Sequence, residues 1–459
     1  MMENTGKKRR RRKERVSGRI TAAGAAAVLL CAVLLWEPAG EELGAAESRE
    51  EETELSDESA LRQEDAGVGQ QEANASGGQA EEPMETDASG ETEGIGVSEE
   101  TARTSAHAGQ SGKAVDSGVS GETIDTDASS ESAGCDILLS FAGDICFDDT
   151  CAVMQNYIGQ GEKLENNIDP ELLRLMRESD LCWINNEFAY SDRGEPLENK
   201  MYTFRAAPER AAMLREMGVD IAGLANNHVY DFGAEAMEDT FEALRLADID
   251  YVGAGRNLAE AMTPVYREVD GITIAYVAAS RAEKYKMTPQ ATEAAAGILR
   301  CYDTELFVRE IEQARENADY VAALVHWGTE YSTELEEVQK TTGREYIDAG
   351  ADIVIGAHTH CLQGMEYYRG KPIIYSLGNF WFNDKPLDTM LLQVRLSGVD
   401  YSSEITADNV EVQIVPAKQE NCETRLLKGD EAEKLFEYLE KLSEGLVIDE
   451  EGVVQEISN

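Results

Sequence analysis

The chain has 459 residues, room for one large domain or two ordinary ones, and a formal net charge of −48. An excess of carboxylates on that scale argues against a nucleic-acid partner, because such binding rests on Lys and Arg neutralising phosphates. The eight cysteines show neither paired CxxC spacing nor a compact framework. They are therefore expected to be mostly free and buried, with Cys146 and Cys151 the one pair that geometry could join.

Residues 1–19 form a basic tail containing KKRRRRKER, and residues 20–36 form an apolar run rich in Ala, Val and Leu. A helix of that length, at ~1.5 Å rise per residue, reaches roughly 26 Å, near the minimum for crossing a bilayer. Basic residues before an apolar run place the N-terminus in the cytoplasm and the remainder outside it. The expectation is a single-pass anchor in the cell membrane, with the C-terminal domain at the bacterial cell surface. Gly44-Ala45-Ala46 leaves open a signal peptide cleaved after Ala46. Cys31 follows Leu29-Leu30 inside the apolar run, a poor context for lipid attachment. Residues 37–134 are dominated by Glu, Asp, Gly, Ser, Ala and Thr and have no periodic apolar face. Such a segment cannot bury enough surface to offset its ordering entropy, so a disordered, self-repelling linker is expected.

At Cys135 the composition changes and a folded domain, 135–459, begins. Strand-like runs at Ile137–Ala142, Leu181–Ile184, Asp220–Ala225, Ile272–Ala278, Val321–Val325, Ile353–Ile355 and Ile373–Tyr375 alternate with helical stretches. Those helices are predicted at Pro170–Glu178, Pro208–Met217, Ala234–Ala247 and Glu305–Ala318. Within Ala234–Ala247, Met237, Phe241 and Leu244 recur at helical spacing. Two further strands, Leu391–Leu396 and Val410–Val415, and an amphipathic helix near Glu431–Leu442 complete the chain. The alternation predicts an α/β domain with sheets sandwiched by helices.

Most of these strands end in groups that bind metals or move protons. The first runs into Asp144, the second into Asn185-Asn186-Glu187, and the third into Asn226-Asn227-His228 with Asp231 close behind. Later strands deliver His326, then His358 and His360, then Ser376 and Asn379. Four of the five histidines thus stand at strand ends, where ligand sites of α/β folds are expected, and the fifth, His107, lies in the acidic linker. Imidazole, carboxylate and amide oxygen together suit Zn, Mn, Fe or Co better than Ca or Mg. The donors suffice for two ions, and a pair about 4 Å apart can clamp the attacking and leaving oxygens of a phosphoryl transfer.

The segments GDICFDD, NNEF, LANNHVYDFG, YVGAGRNLAEA, HWGTEY and GADIVIGAHTHCLQGMEYYRGKPIIYSLGNFWF resemble the CapA family of capsule, or poly-γ-glutamate, synthesis proteins. That family belongs to the calcineurin-like metallophosphoesterase superfamily, and the resemblance extends in order over about residues 136–420. It implies a four-layer α/β/β/α sandwich holding one or two divalent transition metal ions (Mn, Zn or Fe) at the strand ends. By motif, Asp144 matches the first metal-binding Asp, and Glu187 stands where a bridging Asp is usual. Asn227, His326, His358 and His360 match further metal ligands, and His228 matches the histidine that acts as general acid. One position departs from the pattern: the superfamily's Asp-x-His reads Asp144-Ile145-Cys146 here. Cys146 is either a thiolate ligand or a small buried hydrophobe.

Other residues carry two readings each. Asp231 either orients His228 or caps the following helix. Trp327 and Tyr331 either wall the pocket or belong to the core. Ser376 and Asn379 are candidate substrate contacts, although SLGNF also suits a turn. Gln363 and Glu366 fit a supporting role, and Glu330 fits a solvated loop. Arg205, Arg281 and Lys284 could offset the acidic field toward a polyanionic substrate. The expected protein is a membrane-anchored, metallophosphoesterase-type hydrolase acting on a cell-envelope polymer or a phosphoester in capsule or poly-γ-glutamate synthesis, export or anchoring. The alternatives are a non-catalytic scaffold among membrane synthase subunits and a cell-surface phosphoesterase outside capsule synthesis.

Overall fold

The structure, a computed structural model, describes residues 135–282, 287–399 and 405–457. The expected tail, anchor and linker, and Lys284, lie outside the described residues. Among the described residues no helix is long and apolar enough to cross a membrane.

In chain order the larger sheet begins with β1 (Asp136–Ile145), β2 (Leu181–Asn186), β3 (Ile221–Gly223) and β4 (Asp250–Val252). The smaller sheet follows with β5 (Val265–Val269), β6 (Ile272–Ser280), β7 (Tyr320–His326), β8 (Ile353–Ala357), β9 (Met365–Tyr368) and β10 (Lys371–Ile374). The chain then returns to the larger sheet with β11 (Asn379–Trp381), β12 (Leu387–Ser397), β13 (Val410–Glu420) and β14 (Glu423–Leu426). The larger sheet has the order β14-β13-β12-β1-β2-β3-β4, with β11 also pairing β1, and the smaller one β9-β10-β8-β7-β6-β5. β1 to β4 are parallel to one another, as are β6, β7, β8 and β10. Their carboxyl ends therefore emerge together within each sheet.

Side-chain alternation along the strands builds three apolar layers. Ile137, Leu139 and Phe141 of β1 share one cluster with Ile274 and Tyr276 of β6 and with Ala322 and Leu324 of β7, so the two sheets face each other there. The opposite parity of β2, Cys182 and Ile184, packs beneath helices α1 (Ala152–Gly159), α2 (Pro170–Glu178), α3 (Ala211–Met217) and α4 (Gly233–Leu246). Likewise Val277 of β6 and Val321 and Ala323 of β7 pack beneath α5 (Glu305–Arg315) and α6 (Glu337–Asp348). The chain is thus a mixed α/β fold with helices on the outer faces of two sheets. A last helix, α7 (Asp430–Leu442), packs Leu435, Phe436 and Leu439 into the inter-sheet cluster.

The strand and helix periods locate many of these elements, but the short strands β4, β5, β9, β11 and β14 have no counterpart among the predicted ones. The predicted helix Pro208–Met217 opens as a 3-10 turn over Pro208–Arg210 and becomes α-helical at Ala211. Helices α1 and α6 have no counterpart among the predicted elements. The sequence of α6, EVQKTTGREYID, buries Gln339, Thr342, Gly343, Tyr346 and Ile347, so its inward face is largely polar and leaves little apolar signal.

Two glycines permit the close backbone approaches that shape the strand ends. β1 pairs antiparallel with β12 as far as Ala142, then parallel with β11 from Asp144. At the changeover a Cβ on Gly143 would lie 1.8 Å from the Gly378 carbonyl oxygen. Gly356 is equally constrained, since a Cβ there would lie 1.8 Å from the Tyr375 carbonyl oxygen.

Glu310 of α5 is fully buried, and neither carboxylate oxygen has a hydrogen-bond partner among the described residues. Burial pushes its carboxyl well above the usual range. The unfolded chain ionises this group from about pH 4.3, while the folded chain keeps it protonated, so its cost to stability grows as pH rises from there. Glu310→Met is expected to be more stable than the parent by about 1–3 kcal/mol at pH 7. Urea denaturation should show that gain shrinking toward pH 4.

Candidate metal centre

Each functional side chain is carried to one end of the sheets by a strand and held there by its own turn. β1 delivers Asp144, and Asn185 at the end of β2 donates through Nδ2 to Asp144 Oδ1 at 2.7 Å. Glu187 follows directly. After β3, the Asn226 amide oxygen accepts from the backbone N–H of His228 at 3.1 Å and of Val229 at 3.0 Å. Asn226 Nδ2 donates to the Asn186 carbonyl at 2.8 Å, which joins this turn to the end of β2. β7 ends on His326. Beyond β8 the chain turns through His358 (φ 95°) and His360 (φ 59°), a backbone region costly for residues with a Cβ.

Two donor sets converge there and share Glu187. One comprises Asp144, Glu187 and His360, and the other Glu187, His326 and His358. Asn227 adds its amide oxygen to the second, with Oδ1 2.7 Å from His326 Nε2. His326 Nε2 also lies 3.4 Å from Glu187 Oε1 and 3.1 Å from His358 Nδ1. In the first set His360 Nδ1 is 3.2 Å from Asp144 Oδ2 and 2.8 Å from Asn379 Oδ1. All six of these donor residues are buried.

The electrostatics follow from that burial. Glu187 is fully buried, and among the described residues neither of its oxygens nor Asp144 Oδ2 has a hydrogen-bond partner. Burial, then the nearby Asp144 and Glu330 carboxylates, push the Glu187 carboxyl well above the usual range. Burial holds His326 down to about 3, and burial with the neighbouring histidines holds His358 well below the ordinary imidazole value. Burial opposes the Asp144–His360 contact at both partners, yet the contact wins: Asp144 is lowered and His360 raised. Neutral imidazoles, an amide oxygen and unsatisfied carboxylate oxygens aimed at one another are the donor chemistry of a divalent transition metal site. The residues present fit such ions.

His228 stands beside the shared carboxylate, with Nε2 4.0 Å from Glu187 Oε1. Its Nδ1 is 2.7 Å from Asp231 Oδ2, and burial lowers its pKa against the pull of Asp231. The Phe204 ring packs on the imidazole at 4.6 Å between centroids. Asp231 does not cap α4: Phe232 holds the cap position and makes no side-chain capping bond. The carboxylate instead receives the His228 ring, the Phe204 backbone N–H at 2.8 Å and, on Oδ1, the Lys200 ammonium at 2.7 Å. Sequence reasoning passed over Lys200 because it belongs to an irregular segment, where no period marks a side chain as buried.

The remaining candidates divide between site and support. Tyr331 is half-exposed with its ring 5.4 Å from His360, and Lys385 Nζ lies 3.8 Å above that ring. Trp327 is a core residue whose Nε1 donates to the Tyr375 carbonyl at 2.9 Å. Ser376 is buried, and its hydroxyl oxygen accepts from Thr359 Oγ1 at 2.8 Å and from the Gly378 N–H at 3.2 Å. That geometry shapes the turn. Asn379 positions His360 through Oδ1, and its buried Nδ2 has no hydrogen-bond partner among the described residues. Gln363 is bonded to Gln339 and the Ser332 carbonyl, Glu366 is paired with Arg344, and Glu330 is exposed. Arg205 stacks on Phe232 and Arg281 on Tyr302. Cys146 belongs to neither donor set. It is buried in the apolar cluster beneath α1 with Sγ 3.7 Å from Cys151 Sγ, and both thiols are free.

Residues 138–384, more than half of the chain, match the family described as bacterial capsule synthesis protein PGA_cap. The chain is 35% identical over 198 residues to the capsule biosynthesis protein CapA of Bacillus anthracis, covering 42% of this chain and 47% of that protein. It is 30% identical over 303 residues to the PGA biosynthesis protein CapA of Bacillus subtilis, covering 63% and 76% respectively. Among solved structures, a phosphatase from Mycoplasma pneumoniae aligns with a TM-score of 0.38 at 12% identity, covering 63% of this chain and 95% of that one.

The position of Cys146 yields a direct test. Cys146→Ala is expected to leave the transition-metal content of the purified protein unchanged by elemental analysis. Loss of metal in that variant would place the thiolate in the site.

Proposed function

Since the chain belongs to the family of bacterial capsule synthesis proteins, we propose that it is a metal-dependent hydrolase acting in capsule or poly-γ-glutamate synthesis, export or anchoring. The observation that carries this reading is Glu187, a fully buried carboxylate with two unpartnered oxygens, common to two donor sets. Asp144, Glu187 and His360 would hold one ion, and Glu187, Asn227, His326 and His358 the other. Ions bound there would supply Lewis acidity and charge neutralisation to a phosphoester, or to an amide carbonyl of the polymer.

The protein's own groups carry the proton transfer. The Asp231 carboxylate holds His228 through Nδ1 at 2.7 Å. This leaves Nε2 turned toward the shared carboxylate, at the place where a leaving oxygen needs a proton. Phe204 packs on the His228 ring and meets Phe382 edge-on at 5.5 Å, so apolar rings screen that side of the imidazole from water. Asn379, whose Nδ2 has no hydrogen-bond partner among the described residues, lines the substrate side in this reading, while Ser376 shapes the turn behind it. The basic tail, the apolar run of residues 20–36 and the acidic linker of residues 37–134 support single-pass anchoring with the domain outside the cytoplasm, beside membrane synthase subunits.

One observation favours a second reading, a non-catalytic accessory of a synthase. With Cys146 turned into the core, the Asp144 set has only three protein donors among the described residues.

Elemental analysis combined with turnover of diphenyl phosphate, whose leaving group needs a proton, separates the two. The protein is expected to purify with a transition metal, Glu187→Ala to lose metal from both sets, and His358→Ala from one. His228→Ala should keep its metal and lose about 10²–10⁴-fold in turnover. Metal without turnover in the parent protein would establish the accessory reading, and a protein that binds no transition metal would end the hydrolase reading.

A further inference from the structure

Lys200 is a buried cation in a region that otherwise gathers carboxylates and imidazoles. Its side chain is 5% exposed, and its ammonium lies 2.7 Å from Asp231 Oδ1. The same ammonium donates to the backbone carbonyl of Asn227, which also accepts from Thr288 Oγ1 at 2.7 Å. The loop that carries Lys200 is fastened to the same place, since the Leu197 N–H donates to the Asp231 carbonyl at 2.8 Å. Taking an ammonium out of water is costly unless it is paired and hydrogen-bonded. An exposed lysine would keep the chain soluble equally well, so this burial asks for a role.

The geometry points to Lys200 as a positioning residue for His228. Asp231 has two carboxylate oxygens and three donors arranged around them. Oδ1 is ion-paired with the Lys200 ammonium at 2.7 Å, while Oδ2 accepts from the Phe204 N–H at 2.8 Å and lies 2.7 Å from His228 Nδ1. With Oδ1 anchored, the carboxylate cannot rotate away from Nδ1. The imidazole is thereby kept in one ring orientation and one tautomer, with its proton on Nδ1 and Nε2 facing the site. The bond to the Asn227 carbonyl fixes the backbone that bears both Asn227 and His228. One lysine therefore sets the distance between a metal-site residue and the proton donor. In the step it serves, an attacking water loses a proton and its oxygen bonds to phosphorus as the bond to the leaving oxygen breaks; His228 takes a proton at Nε2 from solvent, passes it to the leaving oxygen and returns to its Nδ1–H form. This inference rests on the general-acid role proposed for His228.

Two measurements on the full-length protein test it. The first compares diphenyl phosphate, whose leaving group needs protonation, with bis(p-nitrophenyl) phosphate, whose leaving group needs little. Lys200→Met should lower kcat on diphenyl phosphate by about 10²-fold, the scale of general-acid catalysis. The loss on bis(p-nitrophenyl) phosphate should be at least about tenfold smaller, with KM and metal content unchanged. Lys200→Arg should recover most of the lost turnover, and Lys200→Gln, which retains a donor, replaces Lys200→Met if that variant does not fold. Equal losses on the two substrates would show a merely structural role and overturn the inference.

The second is ¹⁵N NMR of the histidine-labelled protein, with His228 assigned by difference from His228→Ala. It should show His228 protonated at Nδ1 alone in the parent and averaged between tautomers in the Lys200 variant. An unchanged tautomer would overturn the inference even if neither phosphodiester is turned over, an outcome that would separately end the hydrolase reading.

Discussion

The structure depends on a carboxylate that nothing in the protein satisfies. Glu187 is fully buried, and among the described residues neither of its oxygens has a hydrogen-bond partner, His326 Nε2 standing off at 3.4 Å. Leaving such a group unpaired costs several kcal/mol, and the Asp144 Oδ2 beside it leans on the His360 ring at 3.2 Å. Around them burial holds His326 and His358 neutral. A cation resolves these conflicts together, which is why the site reads as a metal centre and not as a polar core defect.

The fold makes this concentration of unsatisfied groups tolerable. Parallel strands in each sheet end at one edge, and an apolar layer between the sheets holds them in register. Gly143 and Gly356 let neighbouring backbones approach to distances that any side chain would block. The strained turn through His358 and His360 then aims two imidazoles from a single strand end at different donor sets. The scaffold is therefore rigid where the donors are mounted.

Much of this was legible from pattern. Strand and helix periods separate the two apolar parities of β2, β6 and β7, and the accumulation of His, Asn and carboxylate residues at strand ends marks the site. Cys146 was legible only as a choice between ligand and buried hydrophobe, and two other features were not legible, each for a physical reason. Cys146 looks like a ligand if β1 alternates regularly through Asp144. The pairing register shifts between Asp144 and Ile145, however, and Ile145, Cys146 and Phe147 all enter the same apolar cluster. Helix α6 buries a largely polar face, so no hydrophobic period announces it. Lys200 is buried by its partners in an irregular loop, and only the folded arrangement of Asp231 and Asn227 reveals that.

The division of the site into a four-donor and a three-donor set, joined at Glu187, is the central claim. Anomalous X-ray diffraction from crystals of the protein, collected across the Mn, Fe and Zn edges, tests it directly. The account predicts anomalous peaks on both sides of the Glu187 carboxylate, the stronger one between His326 and His358. A map with no peak within bonding distance of Glu187, or one with its peak at the Cys146 sulfur, would contradict it.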